Sequence, residues 1–150
     1  MTWDPDDKER TALHEAGHAI VAWCFDVTGG HLYLDCVNQT GHVDLAGYTH
    51  LEPFKQIAIA LAGFEAEQTL KPPGSKRRAF DDFHDKVPVI LRNNGTSLDE
   101  PKGKALRKNG RACAKRRLLK HERQVRAIAD HLVQHDYMDR VVFEAMMKDN

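Results

Sequence analysis

The sequence predicts an α+β domain, mainly α-helical, with a small antiparallel sheet or hairpin set beside one long helix. Three observations carry this. A capped segment with helical apolar spacing opens the chain. Residues 31–49 have strand character between turn residues. Apolar stretches with helical periodicity return from Pro53 to the end. At 150 residues, 41% hydrophobic and 29% charged, the chain fits one folded domain spanning 1–150.

The first helix has a clear start. Asp4 suits the cap, Pro5 the first helical position, and Asp6 and Asp7 complement the positive end of the helix dipole. Leu13, Ala16, Ile20 and Cys24 recur at helical spacing and are expected to face the core, and Thr28-Gly29-Gly30 is expected to end the helix. His31 to Val37, a turn near Asn38 to Gly41, then Val43 and Gly47-Tyr48-Thr49 read as a hairpin or short sheet. Pro53 to Leu70 reads as a second helix, and Lys71 to Ser75 as a loop. A third helix is expected from about Ala79, bending or ending around Pro88, with Asn93-Asn94-Gly95 closing the segment. Gly103 and Asn109-Gly110 interrupt the next pattern, so helix is expected only from about Arg111, with Leu118, Val125, Ile128 and Leu132 on one face. His135-Asp136 reads as a break before a last helix carrying Val141, Val142, Ala145 and Met146.

Composition narrows the function classes. The longest apolar runs, 19–25 and 57–64, are too short to span a bilayer, so no membrane insertion is expected. The acidic opening residues lack the positive region of a secretory signal. Cys24, Cys36 and Cys113 are odd in number and widely spaced, which suits reduced thiols and a cytoplasmic location. Net charge is zero but uneven: residues 102–126 hold eleven Lys/Arg and one acid, balanced by an acidic remainder.

Residues 14–18 read His-Glu-Ala-Gly-His, an HExxH motif. Two histidines four apart share one helix face, about 6 Å apart along the axis, and their imidazoles can converge on one zinc ion. A water ligand of zinc is acidified toward a pKa of about 7, and the neighbouring Glu15 can take its proton as it attacks a peptide carbonyl. The flanking Leu13, Ala16, Ala19 and Ile20 argue against a merely solvated polar face. Gly17 costs about 0.5–1 kcal/mol relative to Ala inside a helix, which a close backbone or ligand approach would rationalise. Zinc hydrolases usually hold three protein ligands and an open position. The residues alone leave the third open among Asp81, Asp82, His84, Asp85, Glu65 and Glu67, with Glu67 equally readable as a support behind the ligands or as a surface salt bridge.

Thr11 to Trp23, containing HEAGH, resembles the catalytic helix of the FtsH-type ATP-dependent zinc metalloproteases. The likeness runs in order along nearly the whole chain. Ala46-Gly47-Tyr48-Thr49 is similar to that family's edge strand that pairs with extended substrate. Leu61 to Glu67 is similar to its Leu-Ala-Gly-Arg-Ala-Ala-Glu helix, and Leu118-Leu119 with Ile128 to Leu132 is similar to its closing helices. Asp81-Asp82-Phe83 is similar to the motif that supplies the third zinc ligand, matching Asp82. The resemblance implies a peptidase domain with zinc held by His14, His18 and Asp82, Glu15 as general base, and Gly47, Tyr48 and Thr49 contacting a protein or peptide substrate. The departures are specific. No GxxxxGK[ST] loop is present, so any ATPase would be a separate partner. Phe64 stands for the family's Arg, Lys76 to Phe80 replace the Thr/Gly-rich lead into the Asp motif, and Pro88 falls in the expected ligand helix.

Two other features are weighed against blander readings. His131 and His135 repeat the four-residue spacing but lack a following Glu, and read as exposed. The basic stretch 102–126 contains no aromatic residue for base stacking. A solvated face is its favoured reading, docking onto the chain's own acidic surface or onto an acidic partner comes second, and nucleic acid third. A regulatory peptidase that cleaves one repressor, and a non-enzymatic zinc-containing binding module, stand as the alternatives to a general peptidase.

Overall fold

The computed structural model describes residues 2–70 and 86–148. Six helices and three strands are found among them: α1 (Pro5–Cys24), β1 (Gly29–Asp35), β2 (Thr40–Leu45), α2 (Pro53–Leu70), α3 (Val87–Asn93), α4 (Pro101–Lys120), α5 (Glu122–His135), β3 (Tyr137–Met138) and α6 (Arg140–Lys148). The architecture is the expected mainly helical α+β fold. The sheet is antiparallel in the order β2-β1-β3, so β2 is an edge strand among the described residues.

α1 starts as the sequence requires. The Asp4 carboxylate accepts hydrogen bonds from the backbone N–H groups of Asp6 and Asp7, satisfying two donors that the helix cannot. It ends earlier than expected, at Cys24. Asp26 takes a left-handed conformation, its N–H donates to Trp23 O and the N–H of Val27 to Ala22 O, a pattern that closes a helix. Gly29 and Gly30 therefore belong to β1 rather than to the stop.

The hairpin turn falls at residues 36–39, where the Asp35 carboxylate accepts from the N–H groups of Val37 and Asn38. β2 ends at Leu45, so Gly47, Tyr48 and Thr49 lie beyond the strand in irregular chain. α2 has the expected bounds. Pro88 begins α3 rather than ending a helix, as suits a residue with no N–H to leave unpaired. The expected helix start at Ala79 and the loop at Lys71 to Ser75 lie outside the described residues.

α4 begins at Pro101, ten residues before the expected point. Its glycines are contact points rather than breakers: a Cβ at Gly110 would lie 2.7 Å from Ile57 Cγ2, and one at Gly103 would strike the Ser97 carbonyl. α2 consequently lies packed between α1 and α4. The larger core cluster joins α1, α2, α4, α5, α6 and the inner face of the sheet through residues such as Ile20, Leu32, Leu118, Ile128 and Phe143. A smaller one, around Ile57, Leu61, Val87 and Leu91, ties α3 to α2. Burial of Leu118, Val125, Ile128 and Leu132 agrees with the expected face. In α6 the buried residues are Phe143 and Met147, while Val141 is 75% exposed. No helix among the described residues is long and apolar enough to cross a membrane.

Candidate metal centre

α1 and α2 run in opposite directions, and each presents a stripe of residues four apart to the other. On α1 the stripe is Arg10, His14 and His18; on α2 it is Glu67, Gly63 and Ile59. The pairing is direct. Arg10 Nε lies 3.9 Å from Glu67 Oε1, His14 Nδ1 lies 2.8 Å from Glu67 Oε2, and His18 Nδ1 lies 2.8 Å from the Ile59 carbonyl oxygen. Two glycines permit the approach. A Cβ on Gly17 would come within 2.7 Å of Ala62 O, and one on Gly63 within 2.5 Å of His14 Nε2. The close approach that the sequence suggested for Gly17 is thus backbone against backbone.

These contacts fix the histidine tautomers. A carboxylate and a carbonyl oxygen only accept hydrogen bonds, so each Nδ1 must carry the hydrogen and donate it. Both Nε2 atoms are then left with lone pairs, and they face each other 3.0 Å apart. Two opposed lone pairs at this distance repel unless a cation or a proton lies between them. Two nitrogen ligands on a tetrahedral zinc sit about 3.3–3.4 Å apart, so the pair is already near the spacing a metal requires. The donor set fits zinc: neutral imidazoles of set tautomer, each oriented by an oxygen behind it.

Glu15 completes the cluster. Its carboxylate oxygens and the two imidazole nitrogens offer ligand atoms that lie within 4.8 Å of one another. All three side chains are buried, yet Glu15 Oε2 has no hydrogen-bond partner among the described residues. A buried carboxylate oxygen without a donor is costly, and a metal ion or a water held in the cleft would supply what it lacks. Strand β2 passes directly over it, since a Cβ on Gly41 would lie 2.6 Å from Glu15 Cγ.

The cluster opens into a cavity of about 360 Å³ between α1 and β2, walled by Thr11, Thr40, Gly41, His42 and Lys86. An adjoining cavity continues past His18 and is lined by Asp44, Leu45, Tyr48 and Ile59. Tyr48 therefore reaches the site from beyond the strand, while Gly47 and Thr49 do not line either cavity.

The other sequence candidates divide clearly. Asp82 lies outside the described residues, as do Asp81, His84 and Asp85. Glu65 turns away from the site and, itself buried, pairs with the half-exposed Arg111 of α4. Glu67 is buried and stands behind His14 rather than at its metal-facing nitrogen. His131 and His135 lie on α5 with ring centroids 4.6 Å apart and planes tilted by 48°, and no acidic ligand gathers to them among the described residues. Arg10, the Ile59 carbonyl and Gly63 were not singled out from the sequence. Their four-residue spacing on two apolar helices was the available signal, but it gains meaning only once the helices are known to be antiparallel neighbours.

The chain matches no known protein-family model, and a search of curated proteins likewise finds no match.

Proposed function

We propose that the protein is a zinc-dependent metallopeptidase that hydrolyses peptide bonds in flexible or unfolded protein segments. The observation that carries this reading is the pair of imidazole Nε2 atoms 3.0 Å apart, with the buried Glu15 Oε2, which has no hydrogen-bond partner among the described residues, beside them and an open cavity in front. His14 and His18 would hold the ion, with Asp82 as the third protein ligand by the resemblance to the FtsH-type peptidases. When bound, zinc acidifies a water and polarises the carbonyl to be cleaved.

The protein's own groups supply the rest. Glu15 takes the proton from the attacking water and returns it to the departing amide nitrogen, so that a C–O bond forms as the C–N bond breaks and the proton ends on the new amine. Gly41, with no side chain, leaves the Glu15 carboxylate the room a Cβ would take. Glu67 and the Ile59 carbonyl hold the two imidazoles in orientation. Substrate backbone would pair along the outer edge of β2, Thr40–Leu45, a strand-addition mode. Tyr48 would line the side-chain space next to it, which moves the expected substrate contact a few residues back from Gly47 to Thr49. A purely structural zinc site is closed by four protein ligands, and the cavity beside the histidine pair favours the enzyme over that alternative.

Metal analysis and a cleavage assay on an unfolded protein substrate test the reading together. About one zinc per chain is expected, kept by Glu15→Gln and lost by the His14→Ala, His18→Ala double variant. Glu15→Gln should reduce cleavage by several orders of magnitude, because an amide cannot accept the proton. Equal cleavage by wild type and Glu15→Gln would remove the peptidase assignment.

A further inference from the structure

Helix α4 carries nine Lys/Arg and no acidic residue. Its inner face is committed to the core through Gly110, Cys113, Ala114 and Leu118. On its outer side Lys104, Arg107, Lys108, Arg111 and Lys115 line a groove of about 550 Å³, whose remaining walls are Leu98, Ala112 and Glu65. Lys104, Lys108, Arg111 and Lys115 repeat every three to four residues, a row about 16 Å long on one helix face. Like charges at this spacing repel and destabilise a helix. Glu65, the one acid lining the groove, is already bound by Arg111, whose guanidinium also lies 5.7 Å over the Phe64 ring. No acid among the described residues pairs with Lys104, Lys108 or Lys115. The row is therefore a rigid line of positive charge whose repulsion a polyanion would relieve.

We propose that this groove is a docking site for an extended acidic segment of another polypeptide. Alternate side chains of an extended chain recur about every 6.6–6.8 Å, close to the roughly 6 Å step between bases four apart on the helix. Four acids at alternate strand positions span about 20 Å against about 16 Å for the row, a difference that long, flexible lysine side chains can bridge. Leu98 and Ala112 give the groove an apolar side that suits a polypeptide's aliphatic groups. Nucleic acid fits less well: 102–126 has no aromatic residue for base stacking. The proposal does not depend on the metal site and is tested without it.

The test is fluorescence anisotropy with labelled decaglutamate at low and at physiological salt. Two triple reversals of equal charge are compared: Lys104→Glu, Lys108→Glu, Lys115→Glu in the groove, and Arg116→Glu, Lys120→Glu, Arg123→Glu outside it. Saturable binding is expected, weakened at least about tenfold by the groove reversal and less than about threefold by the other. Affinity should fall as salt rises. Equal losses in the two variants, no binding to wild type, or tighter binding of a single-stranded DNA of matched charge would each overturn the proposal. Should the groove triple lose its helical circular dichroism, Lys108→Gln alone must weaken binding about threefold, and an unchanged affinity there also overturns it.

Discussion

Glu67 acts on His14 rather than on a ligand of its own. Its Oε2 fixes the Nδ1–H tautomer and so leaves Nε2 free of hydrogen for a metal. Glu67→Ala should therefore lower zinc affinity by about 10- to 100-fold, read by competition against a chelator. Glu67→Gln keeps an acceptor oxygen and should recover much of the loss. Unchanged affinity in Glu67→Ala would show that the hydrogen bond does not set the site. At this scale the sequence was partly legible. His14, Glu15 and His18 stood out because their chemistry lies within five residues of one helix. Glu67 stayed ambiguous because its partners, Arg10 and His14, lie more than fifty residues away, and the same residue type makes surface ion pairs far more often. Asp82, the proposed third ligand, rests on resemblance alone and lies outside the described residues.

Among the elements, the contact of α1 with α2 yields a paired prediction. Gly17→Ala forces a methyl into the Ala62 carbonyl and should cost about 1–3 kcal/mol of stability, measured by urea unfolding. Gly63→Ala pushes against the His14 ring instead, so its zinc affinity should fall by a larger factor than that of Gly17→Ala. A second contact joins α1 to the end of α5. Lys8 Nζ lies 2.7 Å from Asp136 Oδ1 and holds that carboxyl below its ordinary value, with the Cys36 thiol assisting. The unfolded chain binds the proton more readily than the folded one, so this stability is fully present above the ordinary aspartate value near 3.8 and is lost as pH falls through the lower folded value. The pair is partly exposed, so Lys8→Met should cost under about 1 kcal/mol at pH 7, and the gap from wild type should narrow as pH falls below the ordinary aspartate value. Asp136 also has a left-handed backbone, φ 63°, so Asp136→Ala should cost a further 1–2 kcal/mol or about that, and Asp136→Gly less. The bounds of α2 were readable because apolar residues run unbroken between Pro53 and Leu70. α4 was shortened in the sequence reading because Gly103 and Gly110 resemble breakers, and only the neighbouring Ser97 and Ile57 reveal them as contacts. β3 is two residues long, too short for any period to register.

For the whole molecule, the fold is expected to stand without a metal ion. Both core clusters are apolar, and neither includes the site's histidines. Chelation should leave the helical circular dichroism largely intact while lowering the melting temperature. Adding zinc back should raise it, with about 2.7 kcal/mol gained at a free zinc concentration one hundred times Kd. Loss of the helices on chelation would mean that the ion organises the fold, in the manner of small zinc domains. The fold class was legible at this scale because helical periodicity dominates the chain and strand character is confined to one short region. The charge imbalance was legible as well, but its meaning was not. A run of bases in sequence says nothing about whether they line a groove, and that depends on α4 lying against α2.

The antiparallel stripes make the metal site an angular property of two helices. Each residue inserted into an α-helix turns everything beyond it by about 100°. One extra residue between Ile59 and Gly63 would leave the His18 contact in place and swing Gly63 and Glu67 away from His14. Point changes on the outer surface of α2 would leave that phase untouched. The pairing is thus more tolerant of substitution on the outer surface of α2 than of an insertion or deletion between Ile59 and Glu67, and that spacing is the quantity its sequence must keep constant.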